Sequence, residues 1–303
     1  MGLLDGRVVV VTGAGRGIGR GEALECARQG AAVVLNEYDP AAGAEVVDEI
    51  KAVGGSVALV EGDVSDVEVA DRLVSTAVGE FGRLDALVNN AGVLRDRTVV
   101  NMTPEEWDTV IRVHLRGHYA PTHAALGHWK AHGGPGHIVC TASTSGLLGN
   151  FGQSNYGAAK AGIAAFTTIV AMETARLGIT CNAIAPAART RMTEGAYGSI
   201  PGGGGGADSA RFDFWHPDNV APLVAFLCSD ASAHISGKVF GVQGDAVELY
   251  RPWTSAAVVD NGGARWDPAV LADRIDGLFT EAGIVPGAEN MMARLRYTLT
   301  DRG

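Results

Sequence analysis

Short apolar runs alternate along the chain with longer segments whose apolar positions recur at helical spacing. The runs Arg7–Gly13, Ala31–Glu37, Ser56–Asp63, Leu84–Gly92, Gly136–Ser143, Gly178–Pro186 and Gly237–Gly244 are rich in Val, Ile and Ala on both faces. A strand with one face in water alternates apolar and polar residues; these do not, which predicts parallel strands covered on both sides. Helical spacing falls between them, at about 17–30, 41–53, 66–81, 104–132, 156–177 and 218–229. This rhythm predicts a doubly wound, mainly parallel α/β sheet of seven strands, with helices on both faces and right-handed crossovers.

Two segments leave the rhythm. Residues 195–217 are glycine-rich and then aromatic, so a lid is expected at about 191–217. After Gly244 the pattern suggests an extra strand or arm, then a helix at about 268–279. Residues 1–245 are therefore read as one catalytic domain. Residues 246–303 are read as a C-terminal extension of that domain, with an oligomer interface as its expected setting.

Composition narrows the function classes. A formal net charge of −10, with no Lys/Arg block against it, disfavours nucleic acid and anionic membrane as partners. The four cysteines are scattered without a C-x-x-C pair, which points to reduced, buried thiols rather than disulfides or zinc. A strand pattern begins within a few residues of Met1, and no apolar run is long enough to span a bilayer. A cytoplasmic protein is expected.

The 42 glycines are the compositional outlier, and their spacing carries chemistry. Gly13, Gly17 and Gly19 stand between the first strand and the first helix, where a pyrophosphate can rest on a helix N-terminus. Glu37 closes the second strand, where a carboxylate can accept from the adenosine ribose hydroxyls and repel a 2′-phosphate. That favours NAD over NADP. Arg16, in the glycine loop, is the counter-argument, because a guanidinium could pair with the phosphate. Tyr156 and Lys160 are four residues apart and share a helix face. An ammonium beside the phenol, together with a cationic nicotinamide, would lower a tyrosine pKa of ~10 and make it a usable acid/base.

In order, the motifs T-G-x-x-x-G-x-G (Thr12–Gly19), N-N-A-G (Asn89–Gly92) and Y-x-x-x-K (Tyr156–Lys160) resemble the short-chain dehydrogenase/reductase family, with Ser143 thirteen residues before the tyrosine. The resemblance runs from residue 3 to about 245 and implies a Rossmann-type fold. It implies that Ser143, Tyr156 and Lys160 are catalytic, with Ser143 bonding the substrate oxygen and Lys160 also holding the nicotinamide ribose. It implies dinucleotide contacts from Gly13, Arg16, Gly17, Ile18 and Gly19. Asp63 and Val64 would meet the adenine, with Asn90, Ala91 and Gly92 lining the adenosine pocket. Thr190 would contact the nicotinamide amide or the phosphates. Pro186-Ala187 stands where the family usually has Pro-Gly, and G-V-Q-G-D (241–245) departs from its usual Gly-Gly ending. The segments around "VHLRG", "NAIAP" and "ISGKVFGVQG" look most like the hydroxyacyl-CoA dehydrogenase part of multifunctional β-oxidation enzymes and bacterial steroid- and lipid-catabolic relatives. A homotetramer and a lipid-like substrate follow as expectations.

Five of eight histidines lie between Thr109 and Gly134. On a helix His114, His118, His128 and His132 form one stripe, with His123 opposite. The stripe spans ~27 Å, too long for one metal, and no H-E-x-x-H is present. No metal is expected, Pro121 is expected to interrupt the helix, and His118, His123, His128 and His132 read as surface or packing residues. His114 is different, because it aligns with the family's asparagine, whose backbone carbonyl holds a proton-relay water; a titrating imidazole could join that relay. The resulting reading is an NAD-dependent alcohol dehydrogenase or ketoreductase. The alternatives are a catalytically silent dinucleotide-binding regulator and an epimerase or dehydratase using bound NAD.

Overall fold

The computed structural model describes residues 2–190 and 212–288. Most of the expected lid, 191–211, lies outside the described residues. One sheet organises the rest, in the order β3-β2-β1-β4-β5-β6-β7-β8. Its strands are β1 (Val8–Thr12), β2 (Ala32–Glu37), β3 (Val57–Glu61), β4 (Ala86–Asn89), β5 (Gly136–Thr141), β6 (Ile179–Ala187), β7 (Val239–Gln243) and β8 (Ala246–Leu249). The first seven are parallel, and β8 returns antiparallel along β7. The sheet thus has eight strands, one more than expected. Gly244, at φ +55, is the first of two turn residues, the glycine position of a two-residue hairpin.

Alternate residues of β1 show why the strands are apolar throughout. Val9 and Val11 pack in a core with α1 (Gly17–Arg28), α2 (Pro40–Ala52) and α8 (Ala221–Leu227). Val8 and Val10 pack on the other side, with α3 (Val67–Phe81), α5 (Gly117–His132) and α7 (Ser154–Thr174). The sheet is buried on both faces, and its order reverses between β1 and β4, where ligands of such sheets bind.

The long helix expected at 104–132 is three pieces: α4 (Pro104–Ile111), a π turn (Arg112–Arg116) and α5. Pro121 lies inside α5 and does not break it. The ladder has already changed register one turn earlier, where the Gly117 amide bonds the Arg112 carbonyl five residues back. The helix expected at 268–279 is also divided, into α9 (Pro268–Arg274) and α10 (Asp276–Ala282). Among the described residues no helix is long and apolar enough to cross a membrane.

Candidate active site

The glycine loop and the N-N-A-G segment are sewn together at the switch point. Thr12 Oγ1 accepts from the amides of Asn90 (3.0 Å) and Ala91 (3.2 Å). Asn90 Nδ2 donates back to the carbonyls of Thr12 (3.0 Å) and Gly13 (3.1 Å). Gly13 has φ +62, and a Cβ there would stand 2.7 Å from Ala91 Cα. At Gly19 a Cβ would meet the Gly13 carbonyl at 2.3 Å. No side chain of the preceding Arg16 caps α1, and its first turn carries no acid. These residues fit a dinucleotide, whose pyrophosphate would meet uncapped amides at a helix N-terminus. A Cβ on Gly17 would lie 3.3 Å from Thr190, so Thr190 sits against this loop, and Ile18 is the second residue of α1.

Glu37 is fixed by backbone donors. Its Oε2 accepts from Gly15 N (2.8 Å), and its Oε1 from Tyr38 N (2.9 Å) and Asp39 N (3.1 Å). A carboxylate has about four lone-pair sites and three are taken, so capacity remains for about one ribose hydroxyl. Arg16 bonds Asp39 at 2.8 Å. Asp63 accepts from the amide and hydroxyl of Ser65 and pairs with Arg112. Burial pushes its carboxyl up, but these donors outweigh it and hold it below the usual range. Val64 is buried against Gly117. Pro186 and Ala187 belong to β6 and pair with Val242 and Gln243 of β7. Ala187 is thus extended strand, and this position needs none of glycine's conformational freedom.

Ser143, Tyr156 and Lys160 converge. Ser143 follows β5 and begins α6 (Thr144–Leu148), accepting from Ser145 N. Tyr156 and Lys160 share the inner face of α7, with Lys160 Nζ 5.5 Å from the tyrosine ring centroid. The ammonium is buried and donates to the Thr141 carbonyl. Burial pushes Lys160 down to about 7, with Cys140 and Glu22 pulling it up. Tyr156 departs from expectation: its pKa is raised by burial and by the nearby Asp96 charge, while the Ser143 hydroxyl pulls it down. Desolvation outweighs the Ser143 hydroxyl, leaving a cationic nicotinamide as the source of any net lowering.

The histidine stripe is split by burial. His123 and His132 are exposed and His128 is half-buried, whereas His114 and His118 are enclosed. His118 Nε2 accepts from Thr141 N (3.2 Å), beneath the residue that holds Lys160. His114 Nε2 lies 3.0 Å from Val93 N and 2.8 Å from Val93 O, so either neutral tautomer finds a partner there. Its ring meets Tyr156 edge-on at 5.2 Å. A Cβ on Gly92 would stand 2.3 Å from His114 Cε1. Burial and then the Lys160 charge push His114 down to about 3. Burial thus favours a neutral imidazole near pH 7 over the titrating one expected. Among the described residues no group of three or more His, Cys, Asp or Glu could hold a metal.

Sequence reasoning missed three supports. These are Thr12, Thr141 and Asn155, whose Oδ1 accepts from Tyr156 N (2.7 Å) and whose Nδ2 donates to Arg95 O (3.0 Å). Thr12 stands within a quoted motif; Thr141 acts through its backbone, which no side-chain pattern reveals.

Residues 7–197 match the short chain dehydrogenase family model. The chain belongs to that family. It is an oxidoreductase interconverting a secondary alcohol and a ketone. Over 288 residues it is 44% identical to hydroxyacyl-CoA dehydrogenase ChsB1 of Mycobacterium tuberculosis, covering 91% of this chain and 89% of the relative. Over 247 residues it is 42% identical to peroxisomal multifunctional enzyme type 2 of Mus musculus, covering 78% of this chain but only 32% of that protein. The crystal structure of a short chain dehydrogenase from Mycobacterium avium matches it with a TM-score of 0.84 at 44% identity. That match covers 95% of this chain and 100% of the other. Nothing in these comparisons favours the reading as a silent regulator.

Proposed function

We propose that the chain is an NAD(H)-dependent dehydrogenase of a lipid-like alcohol, either a hydroxyacyl thioester or a steroid ring alcohol. The observation that carries the catalytic reading is the Ser143–Tyr156–Lys160 convergence at the sheet's C-terminal edge. Bound dinucleotide supplies the hydride acceptor or donor. Tyr156 Oη takes the proton of an alcohol or gives one to a ketone, and the Ser143 hydroxyl bonds the same substrate oxygen. Lys160, charged over the acidic side of its titration, favours the phenolate. His114 supports the site as a neutral group. Glu37 supports NAD, with Gly13, Gly17, Gly19 and Asn90 cradling the dinucleotide and Asp63, Val64, Ala91, Gly92, Pro186 and Thr190 lining it.

Two segments support an apolar substrate. Residues 93–101 and 149–153 are joined by a bridge between Arg97 and Gln153, and by Gln153 Nε2 donating to Asp96. On them Val99 (73%), Val100 (85%) and Phe151 (89%) are exposed beside the Tyr156 segment. Relatives with hydroxyacyl-CoA names agree with such a rim. We also propose a cytoplasmic homotetramer in which 1–245 form the catalytic domain. Exposed Val247, Leu249 and Trp253 of the 246–303 extension are suited to an interface.

Tyr156→Phe tests the assignment, with NADH production from 3-hydroxyacyl thioesters and steroid alcohols as the readout. Turnover should fall about 10³-fold while NADH still binds. Alcohol oxidation requires the phenolate and should rise with pH; ketone reduction requires the phenol and should fall. A Tyr156→Phe protein with near-normal turnover refutes the reading.

A further inference from the structure

The Asp39 carboxylate serves two neighbours at once. Its Oδ1 accepts from the amides of Ala41 (3.1 Å) and Ala42 (3.5 Å), capping α2. Its Oδ2 accepts from Arg16 Nη2 at 2.8 Å. The cap fixes the aspartate rotamer, so Arg16 meets an acceptor already in place. Arg16 immediately precedes α1, and its neighbour Gly15 donates to Glu37. Arg16, Glu37 and Asp39 therefore converge at the end of β2.

The chemistry of that corner is selective. A 2′-phosphate brings close to two negative charges and three acceptor oxygens, for which a planar guanidinium is the apt partner. Arg16 is a guanidinium in the right loop, yet it is turned to a carboxylate. We infer that Asp39 is a second cofactor-specificity residue, which holds Arg16 away from a 2′-phosphate. This rests on the NAD reading above. The pair is 44% and 42% exposed, so it adds little to stability. Its consequence lies in where the arginine points. Arg16, then the α2 amides, holds the Asp39 carboxyl below the usual range, so the carboxylate that Arg16 meets stays ionised at neutral pH.

Asp39→Asn keeps a cap acceptor and removes the charge. Fluorescence titrations with NADH and NADPH would compare the full chain with Asp39→Asn, Arg16→Ala and the double variant. The expected result is an NADH-preferring parent and an NADPH-to-NADH affinity ratio raised about five- to tenfold in Asp39→Asn. Arg16→Ala in that background should abolish the gain. A ratio that stays within twofold, or rises equally without Arg16, overturns the inference and leaves the NAD reading standing. A parent without preference overturns both. Asp39→Ser, which also caps, repeats the test if Asp39→Asn folds poorly, and the same outcomes apply.

Discussion

At position 114 burial decides what an imidazole can do. A histidine in water titrates near 6.5, within reach of a proton relay. Here the ring is enclosed, bonded to Val93 and set against Tyr156, and it is pushed down to about 3. A group with that pKa contributes no inflection in the neutral range. His114→Asn should therefore leave the shape of the kcat/KM–pH profile between about pH 5 and 9 unchanged. His114→Ala, which removes the Val93 partner and the ring edge, should lower kcat roughly ten- to a hundredfold through misplacement of Tyr156. A parent inflection near 6.5 that His114→Asn erases would restore the relay. Lys160 is the neighbouring lesson: its residue type was legible from spacing, but its descent to about 7 depends on enclosure that no local motif encodes.

At the scale of elements, both-face hydrophobicity made the seven parallel strands legible, because a parallel strand has no wet face to mark. The short β8 was less so: Val247 and Leu249 are exposed, and its pairing depends on a glycine turn. The π turn at 112–116 was invisible because periodicity on either side still reads as helix. The glycine–N-N-A-G union was legible as two motifs, though not as one hydrogen-bonded unit through Thr12. Least legible was Glu22, a polar residue in α1 that is 0% exposed, with both carboxyl oxygens unpartnered. Burial pushes it up to about 8, with Lys160 pulling it down. An unfolded glutamate ionises near ~4.3, so between that value and about 8 the folded chain binds the extra proton. Stability from this position is therefore greatest at low pH and falls as pH rises through that window. Glu22→Met, similar in shape and unable to ionise, should gain on the parent by roughly 3–5 kcal/mol from pH 5 to 9. Thermal melts across that range check it, and a difference independent of pH would refute it.

At the scale of the whole molecule, the sheet is joined across its reversal at both strand ends. Thr12 and Asn90 do so at the site end. Asp85 does so at the opposite end, where it accepts from Val8 N (2.8 Å), Arg7 (2.9 Å) and Arg83 (2.6 and 2.8 Å). Arg7 also pairs with Asp230, whose other oxygen lies 3.5 Å from His137 on β5. One buried carboxylate thus ties β1, the lead into β4 and, through Arg7, the turn after α8. Burial alone would push Asp85 up; the Arg83, Val8 and Arg7 donors overcome it and hold it below the usual range. A depressed carboxyl stabilises the fold above its unfolded pKa of ~3.9, and that contribution is lost as pH falls through the folded value. Asp85→Asn leaves the amide of Val8 an acceptor but removes the negative charge that faces two arginines. Both arginines are partly exposed, so the loss should be about 2 kcal/mol at pH 7, below that for a fully enclosed pair. For a chain of this size that is a fall in Tm of roughly 5 °C. The deficit should shrink as pH falls below about 4, where the unfolded chain takes up a proton that the folded carboxylate still resists. A deficit equally large at pH 7 and pH 3 would show that Asp85 acts through packing rather than through its charge.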